Sequence, residues 1–297
     1  MLSSMERHSP MKIINIIKGD KPSLSFEVFP PKTTAAWESV RTATEAIAET
    51  HPSYMSVTYG AAGTNAGFAV EIASNLQTNY GVPSLAHFTC VGADEATVDA
   101  RLAQMQEAGI QNILALRGDL PEGLEKASNR FPYASDLVSY IKAKGDFCVG
   151  GACYPEGHIE SACQKADIQN LKLKVDAGCE FLTTQMFFDN NIFYSYLYKL
   201  REAGITVPVV PGIMPVTAAS QIVRICKLSG TYLPQRFKQI VDHYGNNPAA
   251  MMQAGIAYAT EQIIDLYANG INAVHVYSMN KPEIAVAIQR NLSEIIK

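Results

Sequence analysis

The sequence has no C-x-x-C pair, no apolar run of eighteen residues, no G-x-G-x-x-G after its first β-like segment, and no excess of positive charge. Each absence excludes a class. The six cysteines (Cys90, Cys148, Cys153, Cys163, Cys179 and Cys226) lack paired metal spacing and read as reduced thiols used in packing. Without a long apolar run or a continuous apolar segment near its start, the chain is expected to be soluble and cytoplasmic, with no membrane partner. A net charge of −4 leaves no electrostatic footprint for nucleic acid.

What is present is a repeated unit: an amphipathic helix, a glycine, then a short β-rich run. QEAGIQNILAL, VDAGCEFLTTQ, REAGITVPVV and ANGINAVHVY all carry it. A glycine there supplies the left-handed residue that ends a helix and turns the chain back into a strand. Eight β-like runs are expected: 23–29, 54–59, 84–90, 112–117, 148–154, 181–187, 207–213 and 273–277. A helical pattern follows each, as at 37–49, 96–108 and 249–268. Eight alternating units predict a single (β/α)8 barrel of the TIM type over residues 21–297, preceded by an extension at 1–20. The alternative is an open doubly wound sheet, whose usual glycine-rich turn is replaced here by PPKTTAAW. Residues 231–248 read as an insertion beside the barrel mouth.

In such a barrel the functional groups sit at the C-terminal strand ends. Those ends supply Glu27, Thr58, His87 with Thr89, Arg117 with Asp119, Ala152 leading to Tyr154, Glu156 and His158, then Thr183 with Gln185, and His275 with Tyr277. Singly, Glu27 reads as a solvated or ion-paired carboxylate and His87 as a core histidine. Together they describe a pocket rich in neutral donors and poor in charge. No lysine lies in any strand, which argues against Schiff-base chemistry. HFTC offers half a metal site with no second half, and no nucleophile elbow occurs, so no metal is expected. One isolated acid among neutral donors suits a large organic cofactor that performs the chemistry itself.

FEVFPPKT, SVTYGA, AHFTC, LALRGDLP, YASDL, ACYPEGH, LKLKVDAG, TQMFFD, PGIMP and VYSMN, in this order and spacing, resemble the methylenetetrahydrofolate reductases. The resemblance runs from about residue 22 to the C-terminus and is to the short bacterial type. It implies an FAD-dependent barrel that reduces 5,10-methylenetetrahydrofolate to 5-methyltetrahydrofolate by a ping-pong transfer from NAD(P)H, in one-carbon metabolism and methionine biosynthesis. A homo-oligomer is expected. By position, Thr58, His87, Arg117, Gly118, Asp119, Tyr133, Ala134, Ala152, Tyr154 and His158 would meet the flavin and ribose. Asp167, Asn170 and Lys174, on one helix face, would hold the adenosine and pyrophosphate. Glu27 would be the general acid, its pKa raised by enclosure between Phe26 and Phe29 and by the flavin. Asp119, ionised beside Arg117, would stabilise the cation. Gln185 would bind pterin and nicotinamide in turn, with Tyr277 and Lys281 completing the substrate site.

The chain also departs from the family pattern. Ala66, Gly67, Phe68 and Ala69 stand where many relatives carry Arg-x-Arg-Thr, Leu173 replaces an arginine near the phosphates, and Ala219 replaces an aromatic. These changes weaken the expectation for the nicotinamide half-reaction and keep open a partner flavoprotein or iron–sulfur subunit as electron donor. A non-catalytic flavin- or folate-binding barrel is a further alternative, disfavoured by the intact Glu27, Asp119 and Gln185.

Overall fold

The computed structural model describes residues 11–58, 66–119 and 130–297. Tyr59, at the end of the expected second strand, and the first ten residues of the expected extension lie outside them. The strands are β1 (Ser23–Val28), β2 (Tyr54–Val57), β3 (Ser84–Thr89), β4 (Asn112–Leu116), β5 (Cys148–Cys153), β6 (Phe181–Thr184), β7 (Val209–Val210), β8 (Gly212–Ile213) and β9 (Ala273–Val276). Every pairing is parallel, in the order β7-β6-β5-β4-β3-β2-β1-β9-β8. β7 and β8 are two halves of one strand separated by Pro211. The first half pairs with β6 and the second with β9, so the seam closes and the sheet is a (β/α)8 barrel.

Seven of the eight expected strands keep their positions and shorten by one to three residues. The exception is the seventh: it starts at Val209 and breaks at Pro211, whose nitrogen cannot donate to a ladder. The helices follow in register as α2 (Trp37–Ala48), α3 (Ala66–Tyr80), α4 (Glu95–Glu107), α5 (Ala134–Lys144), α6 (Gln164–Asp176), α7 (Asn190–Glu202), α8 (Ala219–Ser229), α9 (Gln235–Tyr244), α10 (Pro248–Ala268) and α11 (Pro282–Asn291). Their starts are chemically marked: Asp94 accepts from Thr97 N at 2.8 Å, and Asn247 accepts from Ala250 N at 3.2 Å ahead of Pro248. The recurrent glycines turn left-handed where four of these helices end, at Gly109 (φ 72°), Gly178 (117°), Gly204 (74°) and Gly270 (82°).

The period-two alternation sorts each strand. Leu24, Phe26 and Val28 face outward into the main core against the helices, while Ser25 and Glu27 point into the barrel. A short helix, α1 (Ile13–Ile17), stands at the N-terminal end of the barrel. Its Ile13, Ile14 and Ile17 pack on Tyr54, Leu85, Leu114, Cys148, Phe181 and Val210, so the barrel floor is a dry apolar layer. Buried Asn112 fixes α1 there: its Oδ1 accepts from Ile13 N at 2.8 Å, and its Nδ2 donates to Met11 O and Ser84 O. Polar chemistry is thereby confined to the opposite end. The expected insertion forms α9, whose Phe237 and Val241 pack on Met186, Phe188, Met214 and Met251 beside the mouth. No helix among the described residues is long and apolar enough to cross a membrane.

Candidate active site

A cavity of about 370 Å³ opens at the C-terminal end of the strands. Glu27, Ser56, Thr58, His87, Ala152, Tyr154, Thr183, Gln185, His275 and Tyr277 line it, with Leu116, Met186, Met214 and Met279 as its apolar part. Among the described lining residues Glu27 is the single carboxyl. Its side chain is 18% accessible, and burial pushes its pKa up to about 8. Phe26 contributes nothing to this, because the alternation turns it to the other side of the sheet. The apolar enclosure expected from strand 1 comes from the barrel interior instead.

His87 Nε2 lies 3.6 Å from Glu27 Oε2, and burial pulls the imidazole down to about 4. Near neutral pH the pair is therefore a carboxylic acid facing a neutral ring, with no ion pair between them. Deeper in the barrel His275 sits between two hydroxyls. Ser25 Oγ donates to Val274 O at 3.1 Å, so it accepts from His275 Nδ1 at 2.7 Å, and His275 Nε2 accepts from Ser56 Oγ at 3.0 Å. Burial lowers the His275 pKa to about 3, which keeps it neutral under Glu27. Tyr54 stacks on this ring at 5.7 Å, and Tyr277 meets it edge-on at 5.5 Å. The Tyr277 hydroxyl donates to Thr184 O at 2.6 Å, and its pKa is raised by burial and then by the nearby Glu27 charge.

Three polar groups in the wall are available to a guest. His87 Nε2 and Thr183 Oγ1 are buried without a hydrogen-bond partner. Gln185 Oε1 accepts from Met186 N at 3.0 Å, which fixes the amide and leaves its NH2 unclaimed among the described residues. Orphaned donors and acceptors above an apolar floor, beside the small Ala152, fit a flat heteroaromatic ring. No group of His, Cys, Asp and Glu among the described residues could hold a metal ion.

The expected dinucleotide side is engaged differently. Arg117 is clamped by Glu160, with Nη1 and Nη2 on its two oxygens at 2.7 and 2.6 Å, while Asp119 is exposed beside it. Sequence reasoning paired Arg117 with Asp119 and missed Glu160, which lies 43 residues away. Gly118 has φ 88°, and a Cβ there would meet Val91 Cγ1 at 2.8 Å. His158 accepts from Glu160 N and packs edge-on to Tyr154 at 4.6 Å. Tyr133 is exposed ahead of Ala134, the first residue of α5, and its N–H donates to Asp136 at 2.9 Å. Asp167 is buried and accepts from Ser161 Oγ at 3.0 Å, and burial raises its pKa. Asn170 is exposed. Lys174 turns inward instead: its Nζ donates to Ala152 O at 2.6 Å, and burial lowers its pKa. Lys281 stands outside the cavity lining and donates to Thr217 Oγ1 at 3.1 Å.

At the departures, Phe68 stacks on Trp37 at 5.0 Å, Leu173 is exposed on α6, and Ala219 opens α8. The side chain of Ala66 lies outside the described residues.

A closed parallel barrel with an isolated acid and neutral donors at its C-terminal mouth defines the class: a (β/α)8 barrel whose pocket lies where the enzymes of this fold keep their active sites. Within that class the assignment is specific. The chain belongs to the methylenetetrahydrofolate reductase family, whose profile matches residues 12–293. It is 33% identical over 272 residues to the 5,10-methylenetetrahydrofolate reductase of Escherichia coli, covering 91% of this chain and 90% of that protein. It is 36% identical over 266 residues to methylenetetrahydrofolate reductase 1 of Schizosaccharomyces pombe, and 35% identical over 298 residues to methylenetetrahydrofolate reductase (NADH) 1 of Zea mays. These matches cover 88% and 96% of this chain, but the chain spans only about half of those longer proteins, 44% and 50%. Among solved structures, a Clostridium thermocellum protein that binds two copies of 5-methyl-5,6,7,8-tetrahydrofolic acid aligns with a TM-score of 0.60 at 14% identity, over 94% of this chain and 97% of that one. At that identity the likeness speaks for the fold alone.

Proposed function

We propose that this chain reduces 5,10-methylenetetrahydrofolate to 5-methyltetrahydrofolate, with FAD bound at the barrel mouth and NAD(P)H as electron donor. The observation that carries the reading is Glu27: the single carboxyl among the described lining residues, kept protonated near neutral pH by burial, beside groups that are otherwise neutral. FAD bound there would supply the hydride-transfer chemistry that links nicotinamide oxidation to folate reduction. Thr58, His87, Ala152 and Tyr154 would hold its ring. Arg117, Gly118, Asp119, Tyr133, Ala134 and His158 would follow it along the mouth, and Asp167, Asn170 and Lys174 would serve the dinucleotide end. Arg117 and Lys174 would first have to exchange the partners they now hold.

The folate carries its methylene between N5 and N10 and accepts no hydride until that ring opens. Glu27 would give its proton to N10, leaving a 5-iminium cation. Asp119, exposed beside Arg117, would face the cation with its negative charge. The clamped amide of Gln185 would donate to the pterin and to the nicotinamide in turn, with Tyr277 and Lys281 completing the substrate site. Gln185→Ala should therefore weaken both half-reactions, each by about 1–3 kcal/mol of transition-state binding, as read from kcat/KM of each half.

The protein should purify yellow, with the flavin bleached anaerobically by NADH or NADPH and reoxidised by methylenetetrahydrofolate. A colourless protein that also fails to take up added FAD would sink this reading. A second reading keeps the folate half and draws electrons from a partner subunit. The stacking of Phe68 on Trp37, where relatives carry charge, favours it. Slow bleaching by either nicotinamide, beside fast reoxidation of chemically reduced flavin, would select it.

A further inference from the structure

The ladder between β1 and β9 ends one residue before Glu27. Its last register pair is Phe26 with Val276. Beyond it β9 ends, so on this side the carbonyl of Glu27 and the backbone of Phe29 have no strand partner among the described residues. Side chains take over. Ser278 Oγ donates to Glu27 O at 2.9 Å. Asn280 closes a two-bond ring on the next rung but one: its Oδ1 accepts from Phe29 N at 2.9 Å, and its Nδ2 donates to Phe29 O at 2.8 Å. An amide side chain presents one donor and one acceptor in a plane, as a peptide does, so Asn280 acts as one more rung of the ladder.

The turn that delivers this rung is strained. Met279 (φ 57°) and Asn280 (φ 53°) are consecutive non-glycine residues in the left-handed region. Asparagine tolerates that region through its short polar side chain; methionine does not. Met279 is 41% exposed, so packing does little to offset the strain, yet it lines the same cavity as Glu27. On the opposite edge Glu27 and Val28 are held by β2 in register with Ser56 and Val57, and Thr58 N donates to Val28 O at 2.9 Å. The acid thus sits on a strand end fixed from one side by backbone and from the other by Ser278 and Asn280.

We infer that Asn280, with Ser278, is a positioning residue for Glu27: it extends the sheet past the end of β9 so that the carboxyl is held at the angle from which it reaches the folate. The inference rests on the assignment of Glu27 as the acid. A displacement of about 1 Å at a reacting group lowers rate by as much as ~10²-fold, so loss of a rung next to the acid should fall on proton delivery.

The test is Asn280→Gly. Glycine accepts φ 53° without strain, so the turn keeps its path while both bonds to Phe29 are lost. In the protein without substrates, hydrogen exchange should rise at Phe29 and its neighbours in β1 and stay unchanged in β4 and β5. Reoxidation of reduced flavin by methylenetetrahydrofolate should slow about tenfold or more in its limiting rate, with KM little changed, while reduction by nicotinamide keeps its rate. Asn280→Asp, which retains the acceptor for Phe29 N and loses the donor, should recover part of the rate. Glu27→Gln and the double variant Glu27→Gln/Asn280→Gly should be equally slow, because the rung acts only through the acid. An additive loss in the double variant, or equal slowing of both half-reactions by Asn280→Gly, would overturn the inference. A wild-type rate in Asn280→Gly beside a slow Glu27→Gln would overturn it alone. A wild-type rate in Glu27→Gln would remove the assignment of the acid on which it stands.

Discussion

Glu27→Gln is expected to abolish folate reduction while leaving nicotinamide oxidation intact. The amide keeps the shape and hydrogen-bonding reach of the protonated carboxyl but has no proton to give N10. Loss of a general acid commonly lowers rate about 10²- to 10⁴-fold, and an obligatory ring opening puts this case at the upper end. Stopped-flow traces of the two half-reactions separate them; equal losses in both would make Glu27 a structural or cofactor residue.

The same variant has a thermodynamic signature of opposite sign. The folded carboxyl titrates at about 8, against an ordinary value of 4.5. Below the ordinary value both states are protonated and Glu27 has no effect on stability. As pH rises from there the unfolded chain ionises first, the native state holds the extra proton, and stability falls until the native carboxyl ionises too. Glutamine has no such dependence. Glu27→Gln should match the wild type near pH 4 and exceed it above pH 8, by on the order of 5 kcal/mol. Denaturant midpoints across that range would measure it. A flat difference would mean that water or a partner already solvates the carboxylate. A variant that gains stability as it loses activity is the expected behaviour of a buried catalytic acid.

Much of the barrel is legible in the sequence because its signals are local. The glycine after each helix, the period-two alternation of SLSFEVF and the spacing of the β-like runs each depend on a few consecutive residues. The isolation of Glu27 was readable too, as a single acid among strand ends otherwise neutral or paired. What the sequence hid depends on partners far along the chain. Arg117 finds Glu160 rather than its near neighbour Asp119, because the β5–α6 loop brings a bidentate acceptor over it. Lys174 shares a helix face with Asp167 in any helical projection, yet its long stem carries Nζ back to the carbonyl of Ala152. Asn280 reaches Phe29 across 251 residues, through a turn whose left-handed residues no propensity scale anticipates at methionine. His275 is legible at its strand end, in phase with Tyr277; its pairing with Ser25 and Ser56 could have been found as well, because polar side chains inside a barrel must pair.

Gly212→Ala is expected to open the barrel at its seam. Pro211 splits the seventh strand, and its carbonyl accepts from His275 N at 2.9 Å, while Gly212 N donates to Thr184 Oγ1 at 2.9 Å. Thr184 and Tyr277 close over this point through the 2.6 Å bond from the tyrosine hydroxyl to Thr184 O. A Cβ at residue 212 would lie 2.4 Å from that carbonyl oxygen, 2.5 Å from the hydroxyl and 2.6 Å from the ring. The oxygen belongs to β6 backbone and cannot rotate away. One methyl therefore forces β6 from β8 and Tyr277 from Thr184, combining overpacking with buried polar groups left unpaired, at a total of about 3–5 kcal/mol. In a chain of this size that is roughly 6–15 °C in Tm. Tyr277→Phe in the same background removes the hydroxyl clash but not the backbone one, so it should restore only a minor part of the loss. An unchanged Tm for Gly212→Ala would mean that the short β8 slides past Thr184 without disturbing the closure. Tyr277 lines the cavity beside Glu27, so the variant should also slow both half-reactions, which makes the seam and the site one structure.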